Sequence, residues 1–376
     1  MTAEHSQLLD SASSSVNADD IVLSVRDLTV DFPTHDGVVH AVRGVSYELR
    51  KGEVLGIVGE SGSGKSVTSL AVMGLLPPTA QISGSVLLLG AELLGLSEKG
   101  LAKLRGDEIA MIFQDPMSSL NPVYTVGWQI AEAVTAHHDV SRAAARARAV
   151  ELLSIVGIPH AEERVDSYPH EFSGGMRQRA VIAIGMANDP DVIIADEPTT
   201  ALDVTVQAQV LETLTTAREQ TGAAMVLITH DLGVVAGQAD RVLVMYAGKP
   251  VEIGTVDDIF YTPRMPYTLG LLGSLPRVDE RNQDRLTPIV GVPPSLINMP
   301  PGCPFSPRCP MSQDICRTEE PQLRPTTSPE HVAACHFSEQ LEGIAPADLF
   351  RPTSADDVLP EPGSALGTES TQGPAS

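Results

Sequence analysis

The sequence predicts an α/β fold in which a mainly parallel core sheet is joined to an N-terminal antiparallel sheet and followed by a loop-rich four-cysteine extension. Three observations predict it. Short apolar runs alternate with helical stretches from Ile21 to about Ser274, the pattern of strands covered on both faces. One run, Val54–Val58, leads into Gly59-Glu60-Ser61-Gly62-Ser63-Gly64-Lys65-Ser66 and then a helical stretch, Val67–Leu76. From about Leu275 to His336 proline becomes dense and all four cysteines appear.

In chain order, Met1–Asp20 is polar and Ser-rich without a basic n-region, so residues 1–20 read as a tail rather than a secretory signal, which points to a cytosolic chain. The apolar runs Ile21–Val25, Gly44–Leu49 and Gly84–Leu89 suggest the antiparallel sheet. Val54–Val58, Ile109–Phe113, Val192–Ala195, Met225–Ile228 and Val242–Met245 suggest the parallel one. Val140–Val156, with alanines among arginines, reads as a surface helix. The expected domains are 21–275 and 276–345, the second a separate appendage, and 346–376 is rich in Pro, Ser and acids and reads as a second tail. No apolar run approaches the ~20 residues of a membrane helix. The net charge of −23, from 48 acidic and 25 basic residues, repels nucleic acid, so none is expected as a partner.

The segment 59–66 has the composition and context of a phosphate cradle. Glycines let the backbone curl and approach an anion closely, and the loop amides and helix N-terminus then face it. Lys65 can reach the β- and γ-phosphates of a nucleotide and the Ser66 hydroxyl can ligate Mg²⁺. The expected ATP contacts run from Gly59 to Val67. Val192–Ala195 ends in Asp196 and Glu197, at the edge of a parallel sheet where ligands bind. Asp196 is the expected Mg²⁺ holder and Glu197 the expected general base toward water. His230 ends the run Met225–Thr229, and Gln114 ends Met111–Phe113. Alone, either would be unremarkable; beside a phosphate loop, His230 becomes a candidate for the γ-phosphate and Gln114 for ATP and Mg²⁺.

Ser173-Gly174-Gly175, with Gln178 in the helix Met176–Met186 that follows, makes a second anion-binding helix terminus. One nucleotide rarely needs two cradles from one chain. A head-to-tail dimer resolves this, with each nucleotide between 59–66 of one subunit and 173–175 of the other.

These segments, with Ala201-Leu202-Asp203, occur in the order seen in ATP-binding-cassette ATPases. They resemble that family's Walker A (59–66), Q-loop (Gln114), signature (172–176), Walker B with catalytic glutamate (Asp196, Glu197), D-loop (201–203) and switch histidine (His230). The resemblance covers about 21–275 and implies a P-loop NTPase with a RecA-like core sheet, an N-terminal antiparallel β-subdomain and a helical subdomain. The signature begins with Phe172 where the family usually has Leu, but the capping Ser and both glycines are kept. The family's adenine-stacking aromatic is expected early in the domain; Phe32 is the candidate and His40 the alternative.

Longer phrases, Ile112–Pro122, Tyr168–Phe172, Thr229–Ala236, Gly291–Ser295 and Pro301–Phe305, look like ATPase subunits of bacterial oligopeptide and dipeptide importers. The resemblance implies two transmembrane permease subunits, an extracytoplasmic peptide-binding protein and a second ATPase subunit, a heterodimer being favoured over a homodimer. It places the chain at the cytoplasmic face of the membrane, with Gln114–Trp128 toward the permease.

Cys303, Cys309, Cys316 and Cys335 are spaced C-x5-C-x6-C-x18-C. In a reducing cytosol four thiolates suit an iron–sulfur cluster or tetrahedral zinc rather than disulfides. The absence of a CxxC pair argues against an ordinary zinc ribbon, and His336 is either a bystander or a substitute ligand. The resemblance favours a [4Fe–4S] cluster, expected here as a structural clip. Two other functions compete. A soluble cassette ATPase of DNA repair, chromosome organisation or translation usually carries coiled-coil insertions, zinc modules or paired cassettes. A regulatory scaffold is disfavoured by the intact Lys65, Glu197 and His230.

Overall fold

The computed structural model describes residues 20–200, 203–275 and 288–350. Most of both expected tails, and Ala201-Leu202 of the expected D-loop, lie outside these residues.

The N-terminal strands extend well beyond their apolar centres. β1 (Ile21–Thr34) and β2 (Gly37–Arg50) form an antiparallel hairpin. β1 also pairs antiparallel with β4 (Gln81–Leu88), and β5 (Ala91–Glu92) completes that sheet. The core sheet contains β3 (Val54–Val58), β6 (Ile109–Ile112), β7 (Val192–Asp196), β8 (Ala224–Thr229) and β9 (Arg241–Tyr246). It continues through β10 (Lys249–Thr255), β11 (Arg324–Pro325) and β12 (Val332–Ala333). Among the described residues its order is β11-β12-β10-β9-β3-β8-β7-β6. The five strands β9-β3-β8-β7-β6 are mutually parallel.

The unbroken apolar runs follow from this layering. On β8, Met225 and Leu227 pack toward the helical layer, while Ala224, Val226 and Ile228 pack toward the antiparallel sheet. Successive side chains face opposite sides, and neither side meets water. The helical layer includes Val126–His137, Arg142–Ile155 and Gly174–Gly185. Thr125, Ser141 and Ser173 cap them, each hydroxyl accepting a first-turn amide; such a cap contributes about 1 kcal/mol. The expected helix 140–156 is thus trimmed at its cap, and Ala145 and Ala149, one turn apart, are its buried small residues. The signature helix begins at Gly174 rather than Met176, because Ser173 supplies the cap. Among the described residues no helix is long and apolar enough to cross a membrane.

Two expectations need correction. The extension is not a separate appendage: β12 pairs antiparallel with β10 and β11 with β12, so it widens the core sheet. Cys303, Phe305 and Cys316 share one apolar cluster with Val58, Tyr246 and Tyr267. At the junction the buried Glu252 Oε1 accepts from His331 Nε2 at 2.8 Å and from the Arg264 amide. Burial raises the Glu252 pKa against those bonds. The second correction concerns residues 346–350, expected within a tail. Pro346–Leu349 is a short helix with proline in its first turn, and it brings the Phe350 ring against Gly270.

Candidate functional site

The loop after β3 curls because glycine permits it. Gly64 has φ 100°, and a Cβ there would lie 2.5 Å from the Ala41 carbonyl oxygen. Lys65 follows as the first residue of the helix Lys65–Val72 and is 5% exposed. Its Nζ donates to the carbonyls of Gly59 at 2.7 Å and Glu60 at 3.0 Å, so the ammonium lies folded across the loop. Burial pulls the Lys65 pKa down, and the carboxylates of Glu197, Asp196 and Glu60 oppose that. Ser63 Oγ is buried without a hydrogen-bond partner. An unpaired buried hydroxyl is costly, and a phosphate oxygen in the cradle would satisfy it. Ser61 and Gly62 form the exposed loop tip, while Val67 packs against the core of the antiparallel sheet.

Parallel pairing brings the other candidates to the same edge. Ser66 Oγ donates to Asp196 Oδ1 at 2.9 Å. Asp196 is buried, and its pKa is raised by desolvation, with the Ser66 bond and Lys65 pulling the other way and Glu197 adding to the rise. Ser66 and Asp196 thus present paired oxygen donors, the chemistry Mg²⁺ prefers. Glu197 Oε2 is shared: Gln114 Nε2 donates to it at 3.1 Å, Thr200 Oγ1 donates at 2.9 Å, and His230 Nδ1 lies 3.3 Å away. Gln114, proposed for Mg²⁺, therefore sits on Glu197 rather than on the Ser66–Asp196 pair. Glu197 is held at φ 46°, a left-handed conformation costing a non-glycine residue roughly 1–2 kcal/mol. Its amide donates to the Ile228 carbonyl at 2.9 Å, pinning it to β8. Sequence reasoning missed Thr200. The available signal was a pair of hydroxyls, Thr199-Thr200, just after the strand-end acids.

The remaining candidates are scattered. Phe32 lies opposite Val39 in the β1–β2 hairpin, partly buried against the antiparallel-sheet core. His40 Nδ1 is 2.8 Å from Asp31 Oδ1, so that ring is already engaged. Ser173 and Gly174 are exposed, with Gly175 beside them against Val206. Asp203 caps the helix Val204–Thr221 by accepting the Val206 amide at 3.0 Å. Gln178, expected to meet a partner's nucleotide, is instead 1% exposed, with Nε2 lacking a hydrogen-bond partner. Its side chain is turned inward, while Ser173, Gly174 and Asp203 are open to a partner.

All four cysteines are free thiols, and they line one small apolar cavity closed by Met265, Phe305 and Phe337. Burial pushes Cys303 and Cys335 up to about 11 and Cys309 up to about 12. No three His, Cys, Asp or Glu side chains among the described residues are grouped closely enough for one metal ion. A tetrahedral zinc with 2.3 Å bonds would need sulfurs roughly 3.8 Å apart. As they stand, the four thiols do not form such a group.

Two family models match the chain: ABC transporter over residues 42–200, and oligopeptide/dipeptide transporter, C-terminal region, over 251–316. The dipeptide transport ATP-binding protein DppD of Bacillus subtilis is 54% identical over 321 residues, covering 85% of this chain and 95% of that protein. The chain belongs to the ABC transporter family, in its oligopeptide/dipeptide branch. The oligopeptide transport ATP-binding protein OppD of Mycobacterium tuberculosis is 57% identical over 331 residues, covering 88% of this chain but 54% of that protein. The chain thus spans about half the length of that relative. Among solved structures, a dimeric ATP-binding cassette in a post-hydrolysis state with ADP and Pi aligns with TM-score 0.56 and 27% identity. That alignment covers 62% of this chain and 98% of the cassette. The C-terminal family match spans Cys303, Cys309 and Cys316 and ends there.

Proposed function

We propose that this chain is the ATP-hydrolysing subunit of a peptide importer, working as one of two cassettes at the cytoplasmic face of the membrane. The observation that carries this reading is the convergence of Lys65, Ser66, Asp196 and Glu197 at one sheet edge, with Ser66 and Asp196 2.9 Å apart. Lys65 Nζ exchanges its loop carbonyls for the β- and γ-phosphates, and Ser63 Oγ donates to the same anion. Ser66 and Asp196 would hold Mg²⁺, which would supply positive charge to offset that of the phosphates. Phe32 stacks on the adenine. Glu197, steadied by Gln114, Thr200 and His230, accepts a proton from water as that water's oxygen attacks the γ-phosphorus. The bond to the β-phosphate oxygen breaks, leaving ADP and phosphate. Ser173 and Gly174 of a second cassette close over the γ-phosphate, and Asp203 lies beside that closure.

Closing and opening of the cassette pair drives the permease. An exposed patch supports a docking role for 114–128: Val123 is 70% exposed, and the rings of Tyr124 and Trp128 stack at 4.1 Å. Peptides reach the permease from an extracytoplasmic binding protein, and the second cassette is a related but different ATPase. The four cysteines hold a [4Fe–4S] cluster that clips the extension. The support is that all four line one small apolar cavity.

The purified full-length chain should bind MgATP, and membranes carrying it with its permease should take up labelled peptide only when ATP is hydrolysed. ATP binding without peptide uptake would remove the transport reading. Absence of ATP binding would remove the whole proposal.

A further inference from the structure

Among the described residues, Arg308 of the extension hydrogen-bonds to the phosphate loop. Arg308 ends the 3-10 turn Ser306–Arg308, directly before Cys309, and its side chain is 5% exposed. Its Nη1 and Nη2 donate to Glu60 Oε2 at 2.6 Å and Oε1 at 2.9 Å, a fork meeting a fork. Glu60 is the second residue of the phosphate loop. Its carbonyl accepts from Lys65 Nζ at 3.0 Å, and its amide donates to Tyr267 Oη at 2.8 Å. Arg308 is itself held in place. Its guanidinium carbon lies 5.9 Å from the ring centres of both Tyr246 and Phe305, and Nη2 donates to the Ile289 carbonyl at 3.3 Å. Tyr246, Tyr267 and Phe305 pack together with centroids 4.6 to 5.4 Å apart. Glu60 is therefore gripped at its side chain by the extension and at its amide by the cassette.

We propose that Arg308 is a positioning residue of the phosphate loop, so that the C-terminal extension sets the affinity of the cassette for ATP. The inference rests on the ATP site proposed above. A loop already held in its phosphate-accepting shape does not have to be ordered when the ligand arrives. Arg308 also neutralises a carboxylate that would otherwise stand beside an incoming polyanion. Loss of the grip weakens ATP binding while leaving Glu197 and its partners in place. The effect therefore falls on KM and not on kcat.

The test is a double-mutant cycle on the full-length chain, reading Kd for MgATP and KM and kcat for hydrolysis, with melting temperature and iron content in parallel. Arg308→Gln should raise Kd and KM roughly tenfold, the loss expected for a hydrogen-bonded charged pair, with kcat within about twofold; Glu60→Ala should raise Kd by less, because it also removes the carboxylate beside the polyanion. The double variant should match the weaker single rather than show the product of the two, because both remove one contact. Arg308→Lys keeps the charge and loses the fork, so it should fall between wild type and Arg308→Gln; it also carries the test if Arg308→Gln does not fold. Unchanged affinity in the single variants, or multiplied effects in the double, would overturn the proposal while leaving the ATP site intact. A wild-type chain that bound no MgATP would overturn both.

Discussion

Ser66 and Asp196 are 130 residues apart in the chain, yet Ser66 Oγ donates to Asp196 Oδ1 at 2.9 Å. β3 and β7 flank β8 in parallel, so the helix after one strand and the carboxylate ending the other open on the same edge. The carboxylate is buried, and its pKa is raised chiefly by desolvation. A carboxyl whose folded pKa exceeds its unfolded one favours the fold while protonated, and that advantage is lost as pH rises through the folded value. In chelator, Asp196→Asn should therefore melt no lower than wild type at pH 7.5, with its relative advantage growing from pH 4 upward. Mg²⁺-dependent hydrolysis should be lost in the same variant. Thermal melts across pH check this, and a lower melting temperature at pH 7.5 would count against it.

Glu197 is the hub of three side chains from three segments. Glu197→Gln keeps the shape and removes the base, so phosphate release at saturating ATP should fall by roughly 10²–10⁴-fold. ATP should remain bound, and the cassette pair should stay closed on gel filtration. Turnover near the wild-type rate would displace Glu197 from the role of base.

The cysteine cavity makes a compositional prediction. Protein purified without oxygen should contain about four irons and four acid-labile sulfides per chain, as a cubane held by four thiolates requires. Cys309→Ser should lower both contents and the melting temperature, since the same cavity wall includes Phe305 and Phe337. One zinc without sulfide, or a Cys309→Ser protein with unchanged metal and stability, would defeat the cluster assignment.

Trp128 stacks on Tyr124 at 45% exposure, at the C-terminal end of the segment that begins with Gln114. Trp128→Asp should leave ATP binding by the isolated chain near wild type and abolish peptide-stimulated turnover in membranes with the permease. Normal coupling in that variant would move the docking surface elsewhere.

The phosphate loop was legible because its chemistry is contiguous. Gly59 to Ser66 carries its own glycines, lysine and hydroxyl, and an apolar run before it is enough to place it after a buried strand. The strand-end positions of Asp196, Glu197 and His230 were legible for the same reason, as was Ser173 as a cap. What the tertiary structure decided is whatever depends on sheet order and packing. β11 and β12 are two-residue strands with no periodicity to detect, so the docking of the extension onto β10 was not legible. Thr200 reaches Glu197 only through the turn after β7. Gln178 looked like a ligand contact until its helix turned it inward. The grip of Arg308 on Glu60 spans 248 residues, and no local pattern encodes a pairing over that distance. Residue types along a short segment dictate its backbone shape and its chemistry; which segments meet is settled by the order in which strands pair and by the faces left for the remaining chain to cover.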